Sequence, residues 1–168
     1  MGKIEISKLS KRYEVRKLDL EDVEMIYTFC KSNVQYYEYC GKDISPELIE
    51  EDFKVVPPGI PVEQKYYIGF FEKNMLVAVM DLIDGYPNSN SIFIGFFMMK
   101  RELQGVGIGS LIISEALNYL KKQGFEMCRL GIDKTNPQSN YFWNKNGFEI
   151  IREVAQKKSV ILVAEKQL

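Results

Sequence analysis

The segment with the clearest chemical content is Gln104-Gly105-Val106-Gly107-Ile108-Gly109-Ser110, which sets glycines at alternate positions directly ahead of an amphipathic stretch. The first turn of a helix leaves backbone N–H groups unpaired and carries the positive end of the helix dipole. Glycine lets an anion approach that backbone with no side chain in the way, so the turn suits a phosphate or pyrophosphate. A P-loop is excluded, because GxxxxGK must be followed by Ser or Thr and no lysine follows these glycines until Lys121. A dinucleotide fingerprint would put its third glycine where Ser110 stands, and would follow a strand at once rather than after Lys100-Arg101-Glu102. It stays open as a rival phosphate site.

Acid–base chemistry is constrained by what the chain lacks. There is no histidine, and Cys30, Cys40 and Cys128 are odd in number and widely spaced. That usage argues against a zinc site, a Ser-His or Cys-His pair and a disulfide framework, and no metal is expected. Proton transfer falls to carboxylates, tyrosines, lysines, cysteine or water. Asp81 stands out, because alternation puts it on the strand face of Val77, Val79 and Ile83, where a carboxylate needs a partner or a wet cleft. Burial would raise its pKa and suit it to base work. The other reading is an aspartate tied to a backbone amide or an arginine. Asp84 reads as the first residue of an Asp-Gly-Tyr-Pro turn, and Cys128, among apolar strand neighbours, as core rather than nucleophile.

The elements that must position these groups follow from periodicity. Tyr13 to Leu18 alternates as a strand, and Asp19 caps a helix running to about Lys31. Ser45-Pro46 starts a second, short helix that ends before Pro57-Pro58-Gly59-Ile60-Pro61. Three strands, Tyr66 to Phe71, Met75 to Ile83 and Ser91 to Met98, are joined by short turns and form an antiparallel meander. Gly107 to Gln123 is a helix with Ile108, Leu111, Ile112, Ala116, Leu117 and Leu120 on one face and Gly124 as its stop. A strand from Met127 to Ile132, a helix from Pro137 to Asn146 and two paired strands, Phe148 to Val154 and Ser159 to Ala164, complete the chain. The order βααβββαβαββ predicts an α/β (α+β) fold: one mixed, mostly antiparallel sheet of about seven strands flanked by about four helices.

A length of 168 residues suits one domain over 1–168, with the ligand-binding core at about 66–154. Basic residues number 22 and acidic residues 23, a balance that gives no electrostatic case for nucleic acid or a membrane surface as partner. No apolar run is long enough to span a bilayer and the start lacks a secretory pattern, so a cytoplasmic location is expected.

The turn at Gln104, Gly107 and Gly109 resembles the Q/R-x-x-G-x-G/A signature of the GNAT superfamily of acetyl-coenzyme A-dependent N-acyltransferases. One helix and one strand later, Asn136-Pro-Gln-Ser-Asn-Tyr-Phe-Trp-Asn-Lys-Asn-Gly147-Phe148 resembles that family's N-x-x-A-x-x-F-Y-x-K-x-G-F segment. The likeness runs from about Phe70 to Phe148. It implies a GNAT-like fold, acetyl-CoA as co-substrate and an amine acceptor. It implies that the amides of Gln104, Gly105, Val106, Gly107, Ile108, Gly109 and Ser110 hold the pyrophosphate. Phe97, Met98 and Met99 would pair with the pantetheine arm where the fourth strand splays from the fifth, and Asn136 would bond the same arm. Asn136 also reads as a helix cap before Pro137, and both roles can hold at once.

The sequence departs from the family at two places. The position of the tyrosine acid for the departing thiolate is Trp143, which can pack beside the cofactor but cannot supply a proton. The fourth strand, Ile92-Phe93-Ile94-Gly95-Phe96-Phe97, lacks the family's glutamate base, which makes Asp81 the candidate catalytic base or amine contact. The acceptor is expected near the segment from Asn33 to Tyr39, at Tyr36 and Tyr37, with Tyr86 on a nearby loop. These tyrosines have a second reading as half-buried packing. The expected reaction is direct acetyl transfer to a primary amine of a small molecule or peptide. A CoA-binding regulatory domain without catalysis is the alternative, and a homodimer through the C-terminal hairpin is compatible with the sequence.

Overall fold

The computed structural model describes residues 4–168, so residues 1–3 of the expected domain lie outside it. Strand β1 (Glu14–Lys17) leads into a single 3-10 turn over Leu20–Asp22. Asp19 and Asp22 close that turn reciprocally, each side chain accepting from the other's end of the turn. Helix α1 (Val23–Lys31) follows and buries Val23, Ile26, Phe29 and Cys30. Helix α2 (Val34–Cys40) comes next, then α3 (Pro46–Asp52), whose Ser45 cap accepts from Leu48 N–H at 3.1 Å with Pro46 in the first turn.

The meander is β2 (Lys65–Glu72), β3 (Met75–Asp84) and β4 (Ser91–Met99). After it come α4 (Ile108–Lys122), β5 (Met127–Asp133), α5 (Pro137–Lys145), β6 (Glu149–Ala155) and β7 (Val160–Gln167). All expected elements are present within a few residues of their expected ends. The departure is α2: the sequence predicts about four helices, and the described residues form five. The segment Val34–Cys40 reads as connection in the sequence, and Asn33 in front of it makes no capping bond.

One seven-stranded sheet runs in the order β1-β2-β3-β4-β5-β7-β6. Among the described residues only β4 and β5 pair in parallel, because there a helix, α4, carries the chain back to the starting end. On one face α4 packs Ile112, Ala116 and Leu120 against Ile68, Met80, Leu82 and Ile92. On the other, Ile26 of α1 and Ile49 of α3 cover Tyr67, Val79 and Met98. Strand β3 is buried on both faces except at its ends, and each such fully buried Leu, Ile or Met contributes about 1.5–3 kcal/mol relative to exposure.

Strand β4 is irregular at one point. Leu82 pairs with Ile94 but Asp81 pairs with Phe96, so Gly95 is an extra residue opposite Asp81. Such a bulge bends its strand and ends regular pairing. Pairing of β4 with β5 accordingly covers only Ser91–Ile94, whereas β5 continues along β7 to Asp133. Past Ile94 the two parallel strands diverge. A Cβ on Gly95 would lie 2.6 Å from Asp81 Oδ2, so Gly95→Ala must push the carboxylate aside. This substitution is expected to cost about 1–3 kcal/mol in urea unfolding; a midpoint unchanged from the parent would show that the bulge tolerates a side chain.

Candidate active site

The divergence of β4 from β5 opens a cleft of about 340 Å³ whose wall includes Phe97, Met98 and Met99 of β4, the glycine turn, and Asn136 and Trp143 of α5. Nearly all the residues that the sequence assigned to a cofactor therefore meet in one place. Val106 and Ile108 do not line the cleft; Val106 points to solvent at 70% exposure, so these two can contribute only backbone. The N–H groups from Gly105 to Ser110 have no acceptor among the described residues, and the first helical bond of α4 is Leu111 N–H to Gly107 C=O at 3.1 Å.

Gly105 and Gly107 hold positive φ, 79° and 87°, and a Cβ on either would meet only open space. The fold therefore needs glycine there for backbone conformation, and the empty ground in front of it is where an anion would come. Gly109 serves packing instead. Its Cβ would lie 3.2 Å from Phe142 and 3.3 Å from Met99, so the glycine lets α4 close onto α5 and β4. Ser110 Oγ accepts from Asn146 Nδ2 at 3.1 Å, which ties the start of α4 to the end of α5.

Gln104 is bound into the scaffold. Its Nε2 donates to Asn33 Oδ1 at 2.7 Å and to Met99 C=O at 3.0 Å, and its Oε1 accepts from Gln138 Nε2 at 3.3 Å. The side chain thereby fixes the turn against β4 and α1's C-terminus, while its backbone N–H donates to Arg101 C=O at 3.2 Å, so the Gln104 amide, expected to hold a pyrophosphate, is already paired. Asn33, buried at the junction, is marked by the sequence only as part of the acceptor region. Its long-range bonds to Gln104 and Met99 carry no local sequence signal.

Asn136 caps α5, with Oδ1 accepting from Ser139 N–H at 3.1 Å. Its Nδ2 makes no bond among the described residues, and the residue borders the cleft, so the cap and a ligand contact are compatible. Trp143 is buried against Phe142 and Phe148, with ring centroids 4.8 and 5.1 Å away, and reaches Phe97 at 6.1 Å. It is the aromatic floor between α5 and the diverging strand.

A second pocket, about 390 Å³, lies on the sheet face covered by α1 to α3. Tyr36 of α2 borders both pockets and is the partition between them. Tyr37 and Asp81 line the second pocket. Tyr86 does not: its ring packs on Phe93, 5.2 Å between centroids, and so stands behind the wall. Burial raises the Tyr36 hydroxyl well above its ordinary value, so it stays protonated at neutral pH.

Asp81 is bound neither to an arginine nor to a backbone amide. Its Oδ2 accepts from Lys65 Nζ at 2.8 Å, and the same ammonium donates to Val55 C=O at 2.7 Å. Asp81 Oδ1 is buried without a donor among the described residues. Burial pushes the carboxyl up to about 6, against the opposing pull of Lys65. Lys65, the first residue of β2, is the functional neighbour that sequence reasoning misses. A lysine at the mouth of a strand normally faces water, and only the register of β2 on β3 buries this one.

Residues 26–148 match the family model of the acetyltransferase (GNAT) family, and the chain belongs to that family. It is therefore an acyltransferase by family, with an N-acyltransferase fold. Solved structures of the same fold include an acetyltransferase from Thermus thermophilus, 17% identical, covering 93% of this chain and 97% of that one at a TM-score of 0.72. The PaiA N-acetyltransferase from Thermoplasma acidophilum, solved in complex with coenzyme A, is 21% identical over 93% and 99% of the two chains, at a TM-score of 0.66. The Salmonella typhimurium acetyltransferase that modifies the N-terminal serine of ribosomal protein L7/L12 is 15% identical over 95% and 97%, at 0.74. No curated protein matches the sequence.

Gly107→Ala separates the two demands on the turn. With no steric conflict, the variant should lose only about 1–2 kcal/mol of stability to left-handed strain. Coenzyme A affinity, measured by calorimetry, should fall at least about tenfold as the first-turn amides shift. Undiminished affinity would place the phosphate elsewhere.

Proposed function

We propose that this protein transfers the acetyl group of acetyl-CoA directly to a primary amine in a ternary complex. The observation that carries the proposal is the pair of pockets on either side of the displaced strand β4, partitioned by Tyr36. One presents the unpaired amides of Gly105 to Ser110; the other presents a buried carboxylate with a raised pKa. Acetyl-CoA supplies the activated acetyl group and arrives in the first pocket. Amides of Gly105 to Ser110 hold its pyrophosphate, Phe97 to Met99 and Asn136 hold the pantetheine arm, and Trp143 supports that arm from below.

Asp81 takes the proton from the acceptor amine, directly or through a short water chain. An alkylammonium has a pKa of about 10.4 and must lose a proton before it can attack. A carboxyl at about 6 is ionised at neutral pH yet more basic than an exposed aspartate, which suits it to that work. Lys65 positions the carboxylate through Oδ2, and Oδ1 has no donor among the described residues, so the ammonium takes up only part of the carboxylate's accepting capacity. Backbone N–H groups of the free edge of β4 stabilise the developing oxyanion. The departing sulfur has no tyrosine at position 143, and it leaves as thiolate into the wet cleft. A catalytically silent CoA-binding domain is disfavoured by the cost of keeping an ion pair buried at a second pocket that such a domain would not use.

Folded Asp81 sits above its ordinary value, so its base form is lost as pH falls through about 6. Turnover in the parent protein should drop below about pH 6. Asp81→Asn should lower kcat about 10²–10⁴-fold and remove that acidic limb, with acetyl-CoA binding intact by calorimetry. Unchanged turnover across pH, followed by thiol release, would remove Asp81 from the reaction.

A further inference from the structure

The second pocket is narrower in its demands than a site for any amine. Its wall combines the rings of Tyr37, Tyr67, Phe93 and Phe96 with Lys42, Asp52, Lys65 and Asp81. These formal charges sum to zero. Lys65 is anchored at both Asp81 and Val55, so its ammonium cannot swing away from an incoming cation. Asp52 lies close enough to Lys42 and Lys65 for both to favour its ionised form against burial. A second ammonium on the ligand would meet two cations already in place and find each carboxylate matched.

Asp81 Oδ1 is the exception, since it is buried with no donor among the described residues, and a bare buried carboxylate oxygen is costly until one arrives. Asp81 lines the pocket, so a single N–H donor brought to its carboxylate from that side shares the charge with Lys65. The remaining wall offers rings, with Tyr36 and Phe96 paired at 5.6 Å and Tyr67 backed from outside the pocket by Phe53 at 4.7 Å, and such surfaces take a flat apolar body in offset or edge-on contact. At about 390 Å³ the pocket stands toward the small end of ligand sites, roughly 300–1,000 Å³.

Resting on the acetyl-transfer reading above, we infer that the acceptor is a small primary amine with one positive charge and an apolar, ring-sized body. Its nitrogen sits at Asp81 and its body between the aromatic side chains. A linear polyamine brings surplus cations, and a peptide brings backbone polar groups that these walls do not satisfy.

Thiol release with saturating acetyl-CoA should give 2-phenylethylamine a kcat/KM at least about tenfold above spermidine or a short peptide with a free N terminus. Comparable or reversed values would overturn the acceptor class while leaving acetyl transfer standing. If no amine is acetylated, calorimetric titration into the protein saturated with coenzyme A reads the pocket alone. Binding of 2-phenylethylamine about tenfold or more tighter than spermidine would uphold the class and overturn the catalytic reading. Absence of binding by 2-phenylethylamine would overturn the class itself.

Discussion

The extra residue at Gly95 is the constraint from which both pockets follow. A strand that gains one residue against its neighbour must bend, and β4 bends between β3, which it keeps, and β5, which it leaves after Ile94. On one side the divergence exposes the edge of Phe97 to Met99 beside the glycine turn. On the other, the missing Cβ of Gly95 makes room for the Asp81 carboxylate, which would otherwise clash at 2.6 Å. Strand β4 carries no carboxylate, and the one that reaches the second pocket comes from the adjacent strand β3. Backbone geometry and site chemistry thus share a single cause.

Holding that geometry requires bonds across the two ends of the cleft. Gln104 and Asn33 tie the glycine turn to Met99 of β4, and Asn146 ties α4 to α5. Gly109 allows the close approach that brings Phe142 beneath the turn. At the second pocket, Lys65 does for Asp81 what Gln104 does for the turn: it holds the functional group in place from one side. Breaking such a buried pair from the lysine side would strand a charge in the core.

Local signals make much of this legible in the sequence. The glycines at 105, 107 and 109, the amphipathic face of α4 and the Asn136-Pro137 start of α5 encode their own conformations, and they place the first pocket nearly residue by residue. Alternation correctly puts Asp81 on the face of Val79, away from Met80 and Leu82, but Val77, expected beside them, packs with Met80 and Leu82 instead, because the pairing of β2 with β3 shifts at Phe70–Phe71 and leaves Val77 as an extra residue. What is not legible depends on pairing between distant segments. Gly95 is a bulge only in register with Asp81, Lys65 is buried only because β2 lies along β3, and Asn33 matters only through bonds to residues 66 and 71 positions away. Helix α2 escapes for a local reason, since Asn33 turns its side chain to those distant partners and makes no cap. Tyr86, chosen for its place in a turn, serves Phe93 rather than the pocket.

The central claim is that a pyrophosphate-bearing co-substrate lies along the free edge of β4 with its phosphates at the start of α4. Backbone amide resonances followed by NMR during titration with coenzyme A test it most directly. The largest shifts should fall at Gly105 to Ser110, with a second group at Phe97 to Met99 and Asn136. Shifts confined to other segments, or none at saturating coenzyme A, would contradict it.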